Sequence, residues 1–154
     1  MTIRRHMQSL LLAAFLLGPE PALVHWATSH AHASPASTAE RLVGMREGTS
    51  SLNQFLGVNS RRVRWCAAFV KSVFRSSGKR PPQTIAVRGW DSASVGPVVA
   101  SPQRGDLAFW RHSHMGIVVS ARAGTVCTVS GNRANRVARS CEPRRKFRRF
   151  RRPK

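Results

Sequence analysis

Residues 64–74 have the sequence RWCAAFVKSVF. Apolar residues recur in this stretch at intervals of three and four, which is the pattern of a helix with one buried face. Gly78 follows and is typical of a helix end. The thiol of Cys66 lies in the first turn, where the helix dipole and unpaired backbone N–H groups favour a thiolate. The stretch therefore predicts a helix whose cysteine is either a nucleophile or a filler of the core.

The chain has 154 residues and is strongly basic, with 26 lysines and arginines against 6 acidic residues and a net charge of +20. This length suffices for one domain with a modest core. Helical patterns come first and antiparallel strand patterns follow, an order that favours the α+β class. We expect helices over 39–47, 52–56, 64–74 and 84–90, and strands over 107–110, 114–120, 125–130 and 136–140.

Residues 1–33 have the features of a secretory leader: two arginines, then the apolar run 10–17, then the cleavage motif AHA at 31–33. The run is too short to span a bilayer as a stable helix. The sequence PEP at 19–21 is also compatible with earlier cleavage or with a leader that persists as an anchor. We therefore expect a secreted or periplasmic protein, with a mobile small-residue linker over 34–38.

Two histidines lie beyond residue 33, so a catalytic cysteine has two candidate bases. Alternation along the strand that begins near residue 114 places His114 and Gly116 on one face. Gly116 leaves that face without a side chain, which would let a cysteine-bearing helix approach the imidazole closely. His114 is the preferred base, although His112 has the same parity and the spacing does not exclude it.

A polar group is available to orient the imidazole where Ser130-Gly131-Asn132 ends the third strand. The oxygen of the Asn132 amide can accept the Nδ1 proton there, which would complete a Cys-His-Asn arrangement. The same Gly-Asn pair is also typical of a simple turn. Asp106 begins a strand and is more typical of a turn residue than of a catalyst.

These residues, in this order, resemble the CHAP and NlpC type of cysteine peptidoglycan hydrolases, which have a papain-like core. The resemblance extends over residues 39–132. It rests on WCAAFV at 65–70, Trp90, Pro102 with GDLAFW at 105–110, HMGIVV at 114–119 and Gly131-Asn132.

The resemblance implies a papain-like fold in which N-terminal helices pack on an antiparallel sheet. It also implies a nucleophile at Cys66, a base at His114 and a polar third member at Asn132. The implied reaction is hydrolysis of an amide in the peptide part of peptidoglycan, with no metal or cofactor. Many CHAP domains carry an acidic residue where this chain has Ser130, which leaves the third group open. An inactive wall-binding module with the same fold is an alternative.

The other two cysteines have a separate predicted role. In a hairpin centred near Ala134, Cys127 and Cys141 face each other, and opposed strand residues can form a disulfide. We expect this bridge in an oxidising compartment, with Cys66 free. The alternative is two unpaired cysteines on neighbouring strands.

Residues 144–154 carry eight basic side chains and no acidic one, so the catalytic domain is expected to span 39–143. Dense like charge favours an extended tail unless a polyanion neutralises it. Arginine favours phosphate and carboxylate partners, here those of the cell wall or membrane. We expect no dedicated nucleic acid partner and a monomer. Phe147 and Phe150 fit either a last strand or membrane contacts. A solvated tail without a partner, or a cationic protein that acts through this segment, are the alternatives.

Overall fold

The helices precede the strands in the computed structural model, which describes residues 32–92 and 94–154. The helices are α1 (Pro35–Arg41), α2 (Ser50–Leu56), α3 (Cys66–Ser76) and α4 (Val87–Trp90). The strands are β1 (Val98–Val99), β2 (Leu107–Trp110), β3 (Met115–Arg122), β4 (Thr125–Arg133), β5 (Arg136–Pro143) and β6 (Phe147–Arg151), the last preceded by a 3-10 turn, Arg144–Lys146. The expected α+β class is confirmed. Within the described ranges, no helix is both long and apolar enough to cross a membrane.

All six strands form one antiparallel sheet with the order β1-β6-β2-β3-β4-β5. The three longest strands, β3, β4 and β5, follow one another through two hairpins. Ala134 and Asn135 join β4 to β5 with φ angles of 49° and 57°, the left-handed backbone that a tight hairpin turn requires. The hairpin is therefore centred where the sequence predicts.

Helix α3 packs against β3 and β4 and supplies the centre of the larger core. The sheet residues on that face include Leu107 and Phe109 of β2, with Met115 and Ile117 of β3. A smaller cluster covers the opposite face of the sheet. Its buried members are Ala108, Trp110, Val118, Val126, Phe147 and Phe150.

The expected linker over 34–38 is wrong, because α1 begins at Pro35. The Ser34 hydroxyl accepts from the backbone N–H of Ser37, and proline fits the first helical position. Ala36 and Thr38 are buried, so small side chains serve close packing here rather than mobility. The expected helix over 39–47 is thus displaced toward the N-terminus. The predicted leader lies almost wholly outside the described residues.

The expected tail is also wrong, because residues 147–151 form β6 between β1 and β2. Phe147 and Phe150 are buried in the smaller core, which confirms the strand alternative for these two aromatic residues. The sheet therefore continues past the expected domain end at residue 143. The short edge strand β1 lies between residues 90 and 107, where the sequence predicts neither a helix nor a strand.

Two carboxylates offset the dense positive charge of this strand. Asp91 accepts from Arg148 and from Arg151, whose Nε lies 2.9 Å from Asp91 Oδ1. Asp106 accepts two hydrogen bonds of 3.0 Å from Arg152. Asp106 Oδ2 also accepts from the backbone N–H of Gln103, as expected of a turn residue. The repulsion that predicts an extended tail is thus relieved inside the protein.

The predicted disulfide is confirmed. Cys127 and Cys141 are directly opposed in the β4–β5 register and are bonded to each other. Cys66 is free and buried.

Candidate active site

The N-terminus of α3 is fixed by the residue before the cysteine. Trp65 is fully buried, and its indole Nε1 donates to Glu47 Oε2 at 3.0 Å. A Cβ added to Gly131 of β4 would lie 2.6 Å from both Trp65 and Phe69. Gly131 therefore lets the helix that carries Cys66 approach the sheet.

Gly116 has a different neighbour from the one that the sequence predicts. The helix packs on the face of β3 that carries Met115 and Ile117, whereas Gly116 faces β4. A Cβ on Gly116 would lie 2.9 Å from both Ser130 Cβ and the carbonyl oxygen of Val129. Gly116 thus makes room for Ser130, and the expectation that it makes room for the helix is wrong.

Cys66 and His114 line the same cavity, which has a volume of about 390 Å³. The helix N-terminus brings the thiol to the start of β3, next to the backbone N–H of Met115. Asn132 lines this cavity too. The other lining residues are Arg64, Trp110, His112, Ser113, Arg133, Ala134 and Glu142. The three expected site residues therefore come together from α3, the start of β3 and the end of β4.

His112 also borders the cavity, but it lies farther out. It is exposed, whereas His114 is half-buried. The two imidazole rings are stacked with their centroids 6.1 Å apart. The geometry thus favours His114 as the base without removing His112 from the site.

Ser130, rather than Asn132, holds the imidazole. His114 Nε2 lies 3.1 Å from the hydroxyl oxygen of the fully buried Ser130. The expected bond from Asn132 to Nδ1 is absent in the described part of the chain, where Nδ1 has no hydrogen-bond partner. Asn132 instead has a φ of 57° within β4, where the register against β5 shifts between Ser130 and Arg133. The orienting group therefore comes from the position where the resemblance places an acidic residue.

A second polar network lies under the imidazole. The Trp110 ring is 4.9 Å from that of His114, centroid to centroid, and its Nε1 donates to Glu142 Oε2 at 3.3 Å. Arg133 lies 2.6 Å from Glu142 Oε1. Sequence reasoning missed Glu142, although its place directly after Cys141 and the hairpin register put it opposite β4. These residues restrict the ring that supports His114.

Burial determines the resting protonation of both reactive groups. It lowers the pKa of His114 to about 4, and the positive charges of Arg133 and His112 act in the same direction while Glu142 opposes them. Burial also raises the pKa of the Cys66 thiol, although nearby backbone N–H groups oppose the change. Burial thus opposes the effect of the helix N-terminus, which favours a thiolate. At neutral pH the site holds a neutral thiol and a neutral imidazole.

No protein-family model and no curated protein sequence matches the chain. Among solved structures, the peptidoglycan hydrolase RipB from Mycobacterium tuberculosis is similar, with a TM-score of 0.52 and 19% sequence identity. The two chains have the same fold. The expected papain-like arrangement is thus confirmed. The match covers 77% of this chain and 62% of the RipB chain, so the protein spans less than two thirds of RipB.

Proposed function

We propose that the protein is a cysteine amidohydrolase that cleaves an amide bond in the peptide part of peptidoglycan. The observation that carries this proposal is the shared cavity, which both Cys66 and His114 line, with the Ser130 hydroxyl 3.1 Å from His114 Nε2. A ring bonded through Nε2 leaves Nδ1 to accept the thiol proton. This is the nucleophile, base and orienter arrangement of a cysteine hydrolase.

The reaction follows from the neutral resting pair. His114 takes the thiol proton as the Cys66 sulfur attacks the carbonyl carbon, and the imidazolium then donates that proton to the departing amine. Water, activated by the same imidazole, hydrolyses the thioester and frees the sulfur. The backbone N–H of Cys66, at the N-terminus of α3, is a candidate donor to the developing oxyanion.

The substrate class is inferred from two independent features. RipB, which has the same fold, is a peptidoglycan hydrolase. The disulfide is typical of an oxidising compartment, where a leader over residues 1–33 would deliver the protein to the wall. An amidase acting at the muramoyl-alanine bond and an endopeptidase acting within the stem or cross-bridge both fit this chemistry.

Electrostatic attraction to the wall is a further part of the proposal. Arg148, Arg149, Arg151 and Arg152 contact Asp91 or Asp106, whereas the turn Arg144–Lys146 is exposed. The exposed charges, rather than the whole segment 144–154, are available to wall or membrane phosphates. Truncation after residue 142 would delete β6 and is therefore unsuited to testing this attraction.

Digestion of purified sacculi tests the proposal. We expect wild type to release new amino groups, identified as defined muropeptide ends by mass spectrometry, and Cys66→Ala to release none. Cys66→Ser, which keeps the shape of the site, should retain little activity because the hydroxyl is a poorer nucleophile. Equal release by wild type and Cys66→Ala would show that Cys66 is not the nucleophile. Sacculus binding without any release would favour an inactive wall-binding module.

A matched variant tests the electrostatic attraction separately. Replacing Arg145 and Lys146 by glutamine removes two exposed charges and leaves β6 intact. We expect weaker binding to sacculi with a smaller dependence on salt concentration, and unchanged cleavage of a soluble muropeptide. Loss of cleavage with binding unchanged would favour a cationic protein that acts through this segment.

A further inference from the structure

Cys66 borders a second cavity besides the one that contains His114. This cavity has a volume of about 210 Å³ and is lined by residues 85–88, together with Arg64, Cys66 and Ser113. The last three residues line the first cavity as well. The thiol therefore lies at the boundary between two cavities. A peptide substrate bound across the sulfur would place the residue on one side of the scissile amide in the first cavity and the residue on the other side in the second.

The wall of the second cavity is held by the helix that carries the thiol. Thr84 Oγ1 accepts from the backbone N–H of Ala86 at 3.0 Å, and the Thr84 carbonyl oxygen accepts from Trp90 Nε1 at 3.1 Å. Trp90 is fully buried and packs edge-on against Phe74 of α3, with ring centroids 5.4 Å apart. The recess is thus formed before any ligand arrives.

The lining combines short apolar side chains with positive charge. Ile85 is one of the exposed large hydrophobic residues, with 38% of its surface accessible, and Ala86 and Val87 continue the apolar wall. Arg64 and Arg88 border the same space, and no acidic residue lines it. Within the described ranges, neither arginine has a carboxylate partner. In the first cavity, which Arg64 also borders, Arg133 is already paired with Glu142.

We propose that the second cavity is a substrate subsite for a short aliphatic residue that carries a free carboxylate beside the scissile amide. The alkyl group would cover the Ile85 and Val87 side chains, and the carboxylate would pair with Arg88 and Arg64. This inference rests on the proposed function for the identity of the bond that is cleaved. The shape and charge of the second cavity determine which substrate residue can lie beside that bond.

Alkylation of Cys66 tests the subsite without requiring peptidoglycan cleavage. The probes are iodoacetyl-alanine, its carboxamide and iodoacetamide. In each reaction the sulfur bonds to the methylene carbon, iodide leaves, and the thiol proton passes to His114 or solvent. Intact-protein mass spectrometry gives the rate constants. We expect wild type to react about tenfold faster with iodoacetyl-alanine than with the carboxamide, as one charge-assisted contact allows.

Two variants and two matched controls assign that preference to the recess. Arg88→Gln should abolish most of the preference for the carboxylate, whereas Arg122→Gln, which removes the same charge from outside both cavities, should keep it. Ile85→Gln should slow both alanine probes relative to iodoacetamide. Val98→Gln changes an apolar residue of β1 that is 55% exposed. This control variant should react with both alanine probes at the wild-type rates relative to iodoacetamide. The iodoacetamide rate shows in each variant whether Cys66 itself is intact.

The outcomes separate this inference from the proposed function. Equal effects of Arg88→Gln and Arg122→Gln would reduce the preference to overall charge and overturn the subsite. A wild-type protein without any preference would overturn it as well. If the preference holds but sacculi are not digested, the subsite stands and the proposed function fails. If sacculi are digested but the protein shows no preference for the carboxylate probe, the proposed function stands and the subsite fails.

Discussion

The side chain that lies within hydrogen-bond distance of His114 Nε2 is a serine. A buried hydroxyl cannot supply the negative charge that a carboxylate would place beside an imidazolium, so burial dominates and the pKa of His114 falls to about 4. The base is therefore neutral well below pH 7, and the proton of the thiol is transferred only as the sulfur attacks. A site of this kind depends on orientation rather than on a stored thiolate.

The acidic limb of the activity profile follows from that low pKa. Since catalysis needs the neutral imidazole, kcat/KM should rise with pH through about 4 rather than through the ordinary value of 6.5. Arg133→Gln removes a cation that lowers the pKa of His114 and should move the limb to higher pH. Glu142→Gln removes an anion that raises it and should move the limb to lower pH.

Titration of the His114 imidazole by NMR, assigned with His114→Asn, checks these directions in the free protein. The same measurement in His112→Asn should show a small increase in the pKa of His114, because one positive neighbour has been removed. Shifts of one common sign in Arg133→Gln and Glu142→Gln would contradict the assignment of their charges.

The choice between Ser130 and Asn132 can be made with two alanine variants. Ser130→Ala removes the partner of His114 Nε2, so we expect kcat to fall about tenfold with little change in KM, as the loss of one hydrogen bond of roughly 1–1.5 kcal/mol predicts. Asn132→Ala should have a smaller effect on kcat.

Thr128→Val is the matched control for that experiment. Thr128 is another fully buried hydroxyl on β4, and within the described residues its Oγ1 has no hydrogen-bond partner. Its replacement should leave kcat unchanged. A larger loss in Asn132→Ala than in Ser130→Ala would restore the arrangement that the sequence predicts.

Individual residues of the site were predictable to different degrees. Helical periodicity around Cys66 and strand alternation around His114 are local patterns, so both residues could be found. The partner of the imidazole depends on the register of β3 against β4, which places Ser130 opposite Gly116. Alternation alone cannot give that register. The position of Glu142 depends in addition on the register of β5 against β4, so the local sequence does not predict its place in the site.

Among the secondary-structure elements, β6 was expected to be an extended tail because its positive charge is dense and its hydrophobic alternation is weak. β6 has only two aromatic residues among five, and its arginines indicate a solvated segment by composition. The acidic partners of these arginines lie about 45 to 60 residues earlier in the chain. Such a pairing has no local signal. α1 shows the same difficulty, since its small residues pack well but resemble a linker.

The ion pair beneath β6 should contribute strongly to stability. Asp91 and Arg151 expose only 7% and 8% of their side chains, so Asp91→Asn leaves a buried guanidinium without its charge partner. We expect the free energy of unfolding to fall by about 3–5 kcal/mol, measured by urea denaturation. Glu40→Gln, in the far more exposed pair with Arg104, should cost at most about 1 kcal/mol. Similar losses in the two variants would show that β6 does not need its internal carboxylate.

For the whole molecule, the disulfide ties the strand that carries Ser130 to the neighbouring strand that carries Glu142. The bridge closes a loop with a sequence separation of 14, for which roughly 3 kcal/mol of stabilisation is expected. The double variant Cys127→Ala, Cys141→Ala should lower the melting temperature and broaden the His114 signal in NMR spectra.

Thiol counting under denaturing, non-reducing conditions gives the direct check. Oxidised protein should contain one reactive thiol, and native protein should react slowly because Cys66 is buried. Three reactive thiols in protein recovered from the growth medium or periplasm would contradict both the bridge and the compartment that it indicates.

The position of β6 inside the sheet, between β1 and β2, also bears on how the protein is made. β1 and β2 are neighbours of β6 and not of each other, so the inner edge of β2 stays unpaired until residues 147–151 have emerged from the ribosome. The sheet cannot close during synthesis of the first 146 residues, and a nascent chain with an open strand edge is available to chaperones. A chain that ends before residue 147 would therefore keep an unpaired edge on β2.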